Sequence, residues 1–335
     1  MHSRVLSHLI YRSVLALYIA LCLISASATN SALAADTTHS GTVVKHPKIG
    51  LALGGGGARG AAHVGVLHML EQQGVPIDYI AGTNVGAVVG GLYSAGVSIS
   101  SLKEMFTRGT LMRAYLNVPL KLRLMGIPLV STSRLLGHKS FDGLYRGEKF
   151  KSFLNKYVPE SERDLEDLKI PFGAVTYDLI NGEVKVLRKG NLGAVLQASS
   201  AIPVLRKPVK LGSDANPLLC IDGGVAVNIP VKEVREMGAD IVIAVDIIGD
   251  NVARTAAPVG RLDVLTASSH IMQRSIMNAK RAIFEPHALL RPDIDGVRVH
   301  DFLRVERILD RTVSAKDRFK REIGAALETA TERRP

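Results

Sequence analysis

The sequence predicts an α/β fold: a three-layer α/β/α domain around a mostly parallel central sheet. Three observations predict it. Ile49 to Leu53 is a short apolar run ending in glycines, the pattern of a strand buried on both faces, and Ile77 to Ala81, which runs into Gly82, reads as a second strand. A helix-spaced segment follows each, with Ala62, Val66, Met69 and Leu70 after the first run and Ala87 to Ala95 after the second. Ile241 to Asp246 reads as another buried strand, apolar up to its closing aspartate. Strand, helix, strand, helix with tight glycine turns opens a parallel sheet.

Taken in order, the chain of 335 residues begins with Met1 to Ser13, which carries Arg4 and Arg12 and no acid. Val14 to Ala26 is almost wholly apolar, and Ala26-Ser27-Ala28 and Ala32-Leu33-Ala34 follow. Charged, apolar and small-residue regions in this order predict a signal peptide over 1–35 and an exported protein, periplasmic or secreted. The apolar run of about 13 residues is shorter than the ~20 a membrane span needs; the alternative is an uncleaved N-terminal anchor. Leu21 before Cys22 argues against a lipoprotein. Residues 36–47 read as a flexible leader and 48–335 as the domain. The net charge of +11 would fall to about +9 without Arg4 and Arg12. Such a basic surface suits anionic lipid or nucleic acid, and export favours lipid over nucleic acid. Once Cys22 is removed, Cys220 is alone and forms no internal disulfide.

Gly74 ends the first helix. Ser100 to Phe141 mixes apolar bulk with Arg108, Arg113, Lys121, Arg123, Arg134 and Lys139, and holds no acid between Glu104 and Asp142. Residues 100–145 therefore read as a cap over the site or as a segment facing an anionic membrane surface. Gly147 to Tyr157 reads as a helix. Pro171 to Thr176 and Val184 to Leu187 read as strands with a hairpin turn at Asn181-Gly182. A helix over Leu192 to Ser200 stops before Pro203. Leu218 to Ile221 is a strand, Pro230 to Met237 a helix with proline in its first turn. His270 to Phe284 and Phe302 to Glu332 read as long helices.

Three motifs carry chemistry. Leu53-Gly54-Gly55-Gly56-Gly57-Ala58-Arg59-Gly60 joins a strand to a helix, so its N–H groups and the helix N-terminus converge on a place for a phosphate or an oxyanion. Its Gly55-x-Gly57-x-x-Gly60 spacing also occurs in dinucleotide sites, but those want an acid ending the second strand. This second strand runs into Gly82-Thr83-Asn84-Val85-Gly86, the frame of a nucleophile elbow with Asn84 at its centre. Asn84 has no ionisable hydroxyl, and its nitrogen lone pair is delocalised, so it forms no ordinary acyl-enzyme. Asp222-Gly223-Gly224 closes a later strand, where an aspartate serves as base or simply starts a turn.

In this order and spacing the three motifs resemble the patatin-like phospholipases, in particular bacterial members related to neuropathy target esterase. Lys48 to Gly96, Gln197 to Pro203, Ile221 to Pro230 and Ala239 to Asp246 carry the likeness. The resemblance implies a lipid acyl hydrolase with a Ser–Asp dyad, no histidine, no metal and no cofactor. It places Gly55, Gly56, Gly57 and Arg59 at the oxyanion loop and Asp222 as the base. Gly60, Gly82, Gly86, Gly223 and Gly224 are the motif glycines. Asn84 stands where the family pattern has serine. The implied partners are lipid or phospholipid acyl esters. Thr83 precedes the elbow and should point into the sheet or turn, Ser94 and Ser98 lie a helix away, and His63 suits packing better than catalysis.

Three readings follow: a pseudoenzyme that still binds lipid, an enzyme in which Asp222 activates water, or an active hydrolase in which Asn84 is a recent or engineered change.

Overall fold

The structure is a computed structural model that describes residues 46–116, 147–203, 205–248, 271–280, 283–294, 297 and 304–332. The expected signal peptide, most of the leader and residues 117–145 of the expected cap lie outside the described residues.

The first strand, β1 (Ile49–Leu53), is fully buried, and a 3-10 turn over Gly57–Gly60 leads into α1 (Ala61–Gln72). Then come β2 (Tyr79–Thr83), α2 (Val85–Ser94), α3 (Ile99–Thr107), α4 (Thr110–Leu116) and α5 (Glu148–Asn155). A hairpin follows, β3 (Phe172–Asp178) and β4 (Glu183–Leu187), with Gly182 at φ 69° in its turn. The chain continues through α6 (Leu192–Ser199), β5 (Val209–Ser213), β6 (Asn216–Asp222), α7 (Val231–Glu236) and β7 (Ile241–Val245). A helical stretch over 271–280 precedes β8 (Ala288–Leu290), α8 (Val305–Ser314) and α9 (Lys316–Glu332).

The strands form one sheet in the order β5-β6-β3-β2-β1-β7-β8, with β4 on the other edge of β3. From β3 to β8 every neighbour on this path is parallel; β4, β5 and β6 pair antiparallel. Side chains alternate across the sheet because the strand period is two. Leu51, Leu53, Ile80, Ile241, Ile243 and Val245 enter the main core beneath α1, α2, α6 and α8. Ala52, Ala81, Val242 and Ala244 face the smaller cluster beneath α7, where a Cβ on Gly50 would stand 2.5 Å from that of Ala239. Bulky residues on one face and small ones on the other let α7 lie close to the sheet.

Leu102, Met105, Phe106 and Leu111 bring α3 and α4 into the main core, so the first third of the basic segment is packed against the domain. The C-terminal region differs from the single long helix expected. It breaks at Ala315 into α8 and α9. The hydroxyls of Thr312 and Ser314 donate to the carbonyls of Ile308 and Asp310, and such bonds with a β-branched run weaken the last helical turn. Strands β5 and β8 were absent from the sequence reading. Among the described residues no helix is long and apolar enough to cross a membrane.

One edge of β3 builds the site. Residues 172–175 of that edge pair with β2, ending at Thr83↔Val175, and residues 176–178 pair with β6, beginning at Thr176↔Asp222. Two strands of opposite direction therefore finish head to head on adjacent residues of a third.

Candidate active site

Asn84 follows the last residue of β2 and caps α2. Its backbone adopts φ 55°, ψ −122°, the only positive φ outside glycine among the described residues. Asparagine tolerates positive φ better than most side chains, because its short amide bonds locally. Here Asn84 Oδ1 accepts the Val85 N–H at 2.7 Å. Below it, the Asn84 N–H donates to Ser199 Oγ at 3.3 Å, and that hydroxyl donates to the Val175 carbonyl at 2.7 Å. The sharp turn is thus tied to α6 and β3, and Ser199 is a supporting residue that the sequence reading passed over.

The head-to-head strand ends bring Asp222 against this turn. Asn84 Nδ2 donates to Asp222 Oδ2, and the Gly224 N–H donates to Asp222 Oδ1 at 2.8 Å. Asp222 is buried, and loss of solvent pushes its carboxyl up to about 6 against the opposing pull of the Gly224 N–H and the Asn84 amide. Such a carboxyl suits proton transfer near neutral pH.

The glycine loop approaches from β1. The Gly54 N–H donates to the Val245 carbonyl, and the Gly55 N–H to the Asn228 carbonyl at 3.3 Å. A Cβ on Gly55 would stand 3.1 Å from that of Asn84, so the loop passes directly beside the elbow. Among the described residues, the N–H groups of Gly56 and Gly57 show no backbone hydrogen bond. Elsewhere the motif glycines are contact points: a Cβ on Gly86 would lie 2.2 Å from the Leu53 carbonyl oxygen, and one on Gly60 2.2 Å from Val85 Cγ2. Gly82 likewise meets the backbone of Ala87, and Gly223 that of Val175.

Arg59 does not face the elbow. Buried at 7 % exposure, its guanidinium donates to the carbonyls of Val297 and Ile248 at 2.8 Å each, and more weakly to Ile247. It anchors the loop from behind. His63 is fully buried, and its Nε2–H donates to the Gly54 carbonyl at 2.7 Å. Burial pushes it down to about 4, so it is a neutral brace for the loop at neutral pH. The Thr83 hydroxyl is turned to the Val227 carbonyl at 3.0 Å, Ser94 is buried, and Ser98 caps α3. None of these reaches Asp222.

A glycine loop, a strained elbow and a buried aspartate meet around one point, and the family model of the patatin-like phospholipases matches residues 51–235, which hold all three. The chain belongs to the patatin-like phospholipase family. It is 34% identical over 216 residues to an uncharacterized NTE family protein of Mycobacterium bovis, covering 63% of this chain and 53% of that protein. It is 32% identical over 213 residues to patatin-like phospholipase domain-containing protein 6 of Mus musculus, covering 63% of this chain and 14% of that one. A patatin-like phospholipase domain-containing protein of Caenorhabditis elegans is 29% identical over 291 residues, 78% of this chain and 20% of its own length. This patatin-like chain thus spans about half of the mycobacterial relative and a fifth or less of the animal ones. Among solved structures, the ExoU–SpcU complex of the Pseudomonas aeruginosa type III secretion system aligns at TM-score 0.42 and 14% identity over 84% of this chain and 52% of that one. VipD from Legionella pneumophila aligns at TM-score 0.39 and 15% identity over 82% and 67%.

Proposed function

We propose that this patatin-like protein is a lipid-binding member of a lipid acyl hydrolase family whose hydrolytic site is closed by Asn84. One observation carries the reading: both ends of the Asn84 carboxamide are engaged, Nδ2 with Asp222 and Oδ1 with the Val85 N–H. The base is therefore occupied by a group that is no nucleophile, and the elbow is satisfied without substrate. In a serine version, Asp222 would take the hydroxyl proton as oxygen attacked the ester carbonyl, and Gly56 and Gly57 would donate to the oxyanion. In the alternative, Asp222 activates water: its oxygens accept one hydrogen bond each, from Asn84 and Gly224, and each keeps a lone pair for one more.

An apolar cleft lined by Val227, Ile229, Met277, Phe284 and Leu289 adjoins Asn228 beside the elbow and supports acyl-chain binding. Lys232, Lys280 and Glu233 also line it, leaving an excess of positive charge that favours an anionic headgroup. Export to the periplasm or exterior and weak electrostatic attachment to an anionic bilayer complete the proposal. Titration with a fluorescent fatty acid, together with ester-hydrolysis assays, tests it. Binding without turnover is the expected result. Turnover that Asp222→Ala abolishes would instead favour water attack.

A second reading, that Asn84 replaced serine recently in a working enzyme, is favoured by the intact surroundings. The glycine loop, the Asp222 turn and the Ser199 support of the elbow are all present, which supports this reading.

A further inference from the structure

Asn228 lies six residues beyond Asp222 and is 8 % exposed. Its carbonyl accepts the Gly55 N–H, so the residue is fixed to the glycine loop. Its Oδ1 is 2.8 Å from where a Gly55 Cβ would stand and 3.6 Å from the same point on Gly224. The carboxamide therefore fills the gap between the loop and the Asp222 turn. Its Nδ2 is sealed from solvent and has no acceptor among the described residues. A buried donor left unpaired costs about 1–3 kcal/mol, and folds rarely keep one without a use. The donor is absent from the motif logic of the loop, elbow and aspartate.

We infer that the Asn228 carboxamide is a third oxyanion donor, completing with Gly56 and Gly57 a site for a tetrahedral anionic headgroup on an acyl-like chain. The inference rests on the reading of this site as an acyl-hydrolase scaffold. The two ends of a carboxamide have the same shape, so a half-turn about χ2 places N–H where Oδ1 now sits, beside Gly55. The backbone anchor to Gly55 holds that donor in register with the loop whether or not a nucleophile is present. Once turned, a donor aimed at the developing oxyanion is worth about 10²–10³ in the rate of acyl transfer.

The test uses the chain as it is and needs no turnover. Dodecylphosphonate is titrated by calorimetry near pH 5, where Asp222 is largely neutral, into the protein, Asn228→Ala and the isosteric Asn228→Asp, with unfolding curves as the fold control. Affinity should fall about tenfold or more in both variants. Unchanged affinity in a folded Asn228→Asp, or no binding by the protein itself, overturns the inference. In parallel, Asn228→Asp in an Asn84→Ser background should lower kcat by about 10²-fold with KM little changed. An inert Asn84→Ser with Asn228-dependent phosphonate binding would sink the second-reading chemistry while leaving the third donor standing. An active Asn84→Ser whose kcat ignores Asn228 would do the reverse.

Discussion

Asn84 and Asp222 lie 138 positions apart in sequence and are hydrogen-bonded side chain to side chain, because β2 and β6 end on neighbouring residues of the same β3 edge. In the proposed reading, the carboxamide sits where attack on an ester would begin. Replacing it by Asn84→Ser should therefore release the base and supply the missing hydroxyl. Removing the nucleophile of a serine hydrolase costs on the order of 10⁶-fold, with about 10³ over water left by the remaining site, so restoring it should recover several orders of magnitude on short-chain aryl esters. The double variant Asn84→Ser/Asp222→Ala should stay silent. Chromogenic ester assays measure both. An Asn84→Ser protein that folds normally and is inert on every ester tried would mean that the site has drifted beyond its motifs.

The pH dependence of stability should be shaped by two buried groups that act in opposite directions. Asp222 titrates near 6 when folded and near 3.8 otherwise, so the folded state loses stability as pH rises from about 4 to 6 and carries the full penalty, about 3 kcal/mol, above that. His63 titrates near 4 when folded and near 6.5 otherwise, so it imposes a similar penalty as pH falls from 6.5 to 4. Asp222→Asn removes the first and leaves the second. Its urea midpoint should exceed that of the parent at pH 7.5 by the equivalent of about 1–3 kcal/mol, with one hydrogen bond weakened, and the gain should vanish near pH 4. A variant less stable than the parent at pH 7.5 would show that Asp222 is not strained in its ionised form.

Much of this arrangement was legible in sequence, and the reasons are local. Strands β1 and β7 are continuous apolar runs bounded by turn residues, and buried parallel strands look like little else. Gly82-x-Asn84-x-Gly86 and Asp222-Gly223-Gly224 mark turns whose geometry depends on adjacent residues. What stayed hidden depends on distant partners. Nothing near Asn228 says that its carbonyl takes the Gly55 N–H, although an asparagine closely following an Asp-Gly-Gly turn was a signal available to use. Arg59 has the loop's basic position, yet its guanidinium turns to Ile248 and Val297, contacts set by segments 189 and 238 positions away. The short β8 has only three residues and owes its pairing to β7.

Gly86→Ala should prevent accumulation of folded protein. A Cβ there would stand 2.2 Å from the Leu53 carbonyl oxygen and 2.6 Å from that of Gly54, backbone atoms that cannot move without displacing β1 and the glycine loop together. Overpacking of this kind costs 1–3 kcal/mol in an adaptable core and more against fixed backbone, so about 3 kcal/mol or more is expected here. Soluble yield and circular dichroism check it. A Gly86→Ala protein with parental stability would mean that α2 sits farther from β1 than the structure places it.

Arg59 should matter for the loop without being a ligand group. Its side chain is buried and donates to carbonyls on two other segments, so the glycine turn is held from behind by a charge that the carbonyls satisfy. Arg59→Lys keeps the charge, but a single ammonium cannot span Val297 and Ile248 as the planar fork does. Arg59→Leu leaves those carbonyls without their donor in a buried place. Losing hydrogen bonds to a charged donor costs about 1.5–3 kcal/mol each, partly recovered by relaxation, so both variants should unfold about 2–4 kcal/mol more easily. The damage should be local before it is global. Amide exchange at Gly54 to Gly57 should speed up relative to the strand residues Leu51 and Ile243, since opening of the loop no longer has to break the anchor. In the Asn84→Ser background Arg59→Lys should lower kcat more than it raises KM, because loosened N–H groups weaken the oxyanion contact, which forms during the reaction. If Arg59→Lys instead raises KM alone and leaves loop exchange unchanged, the guanidinium acts on bound lipid and the anchoring role is wrong.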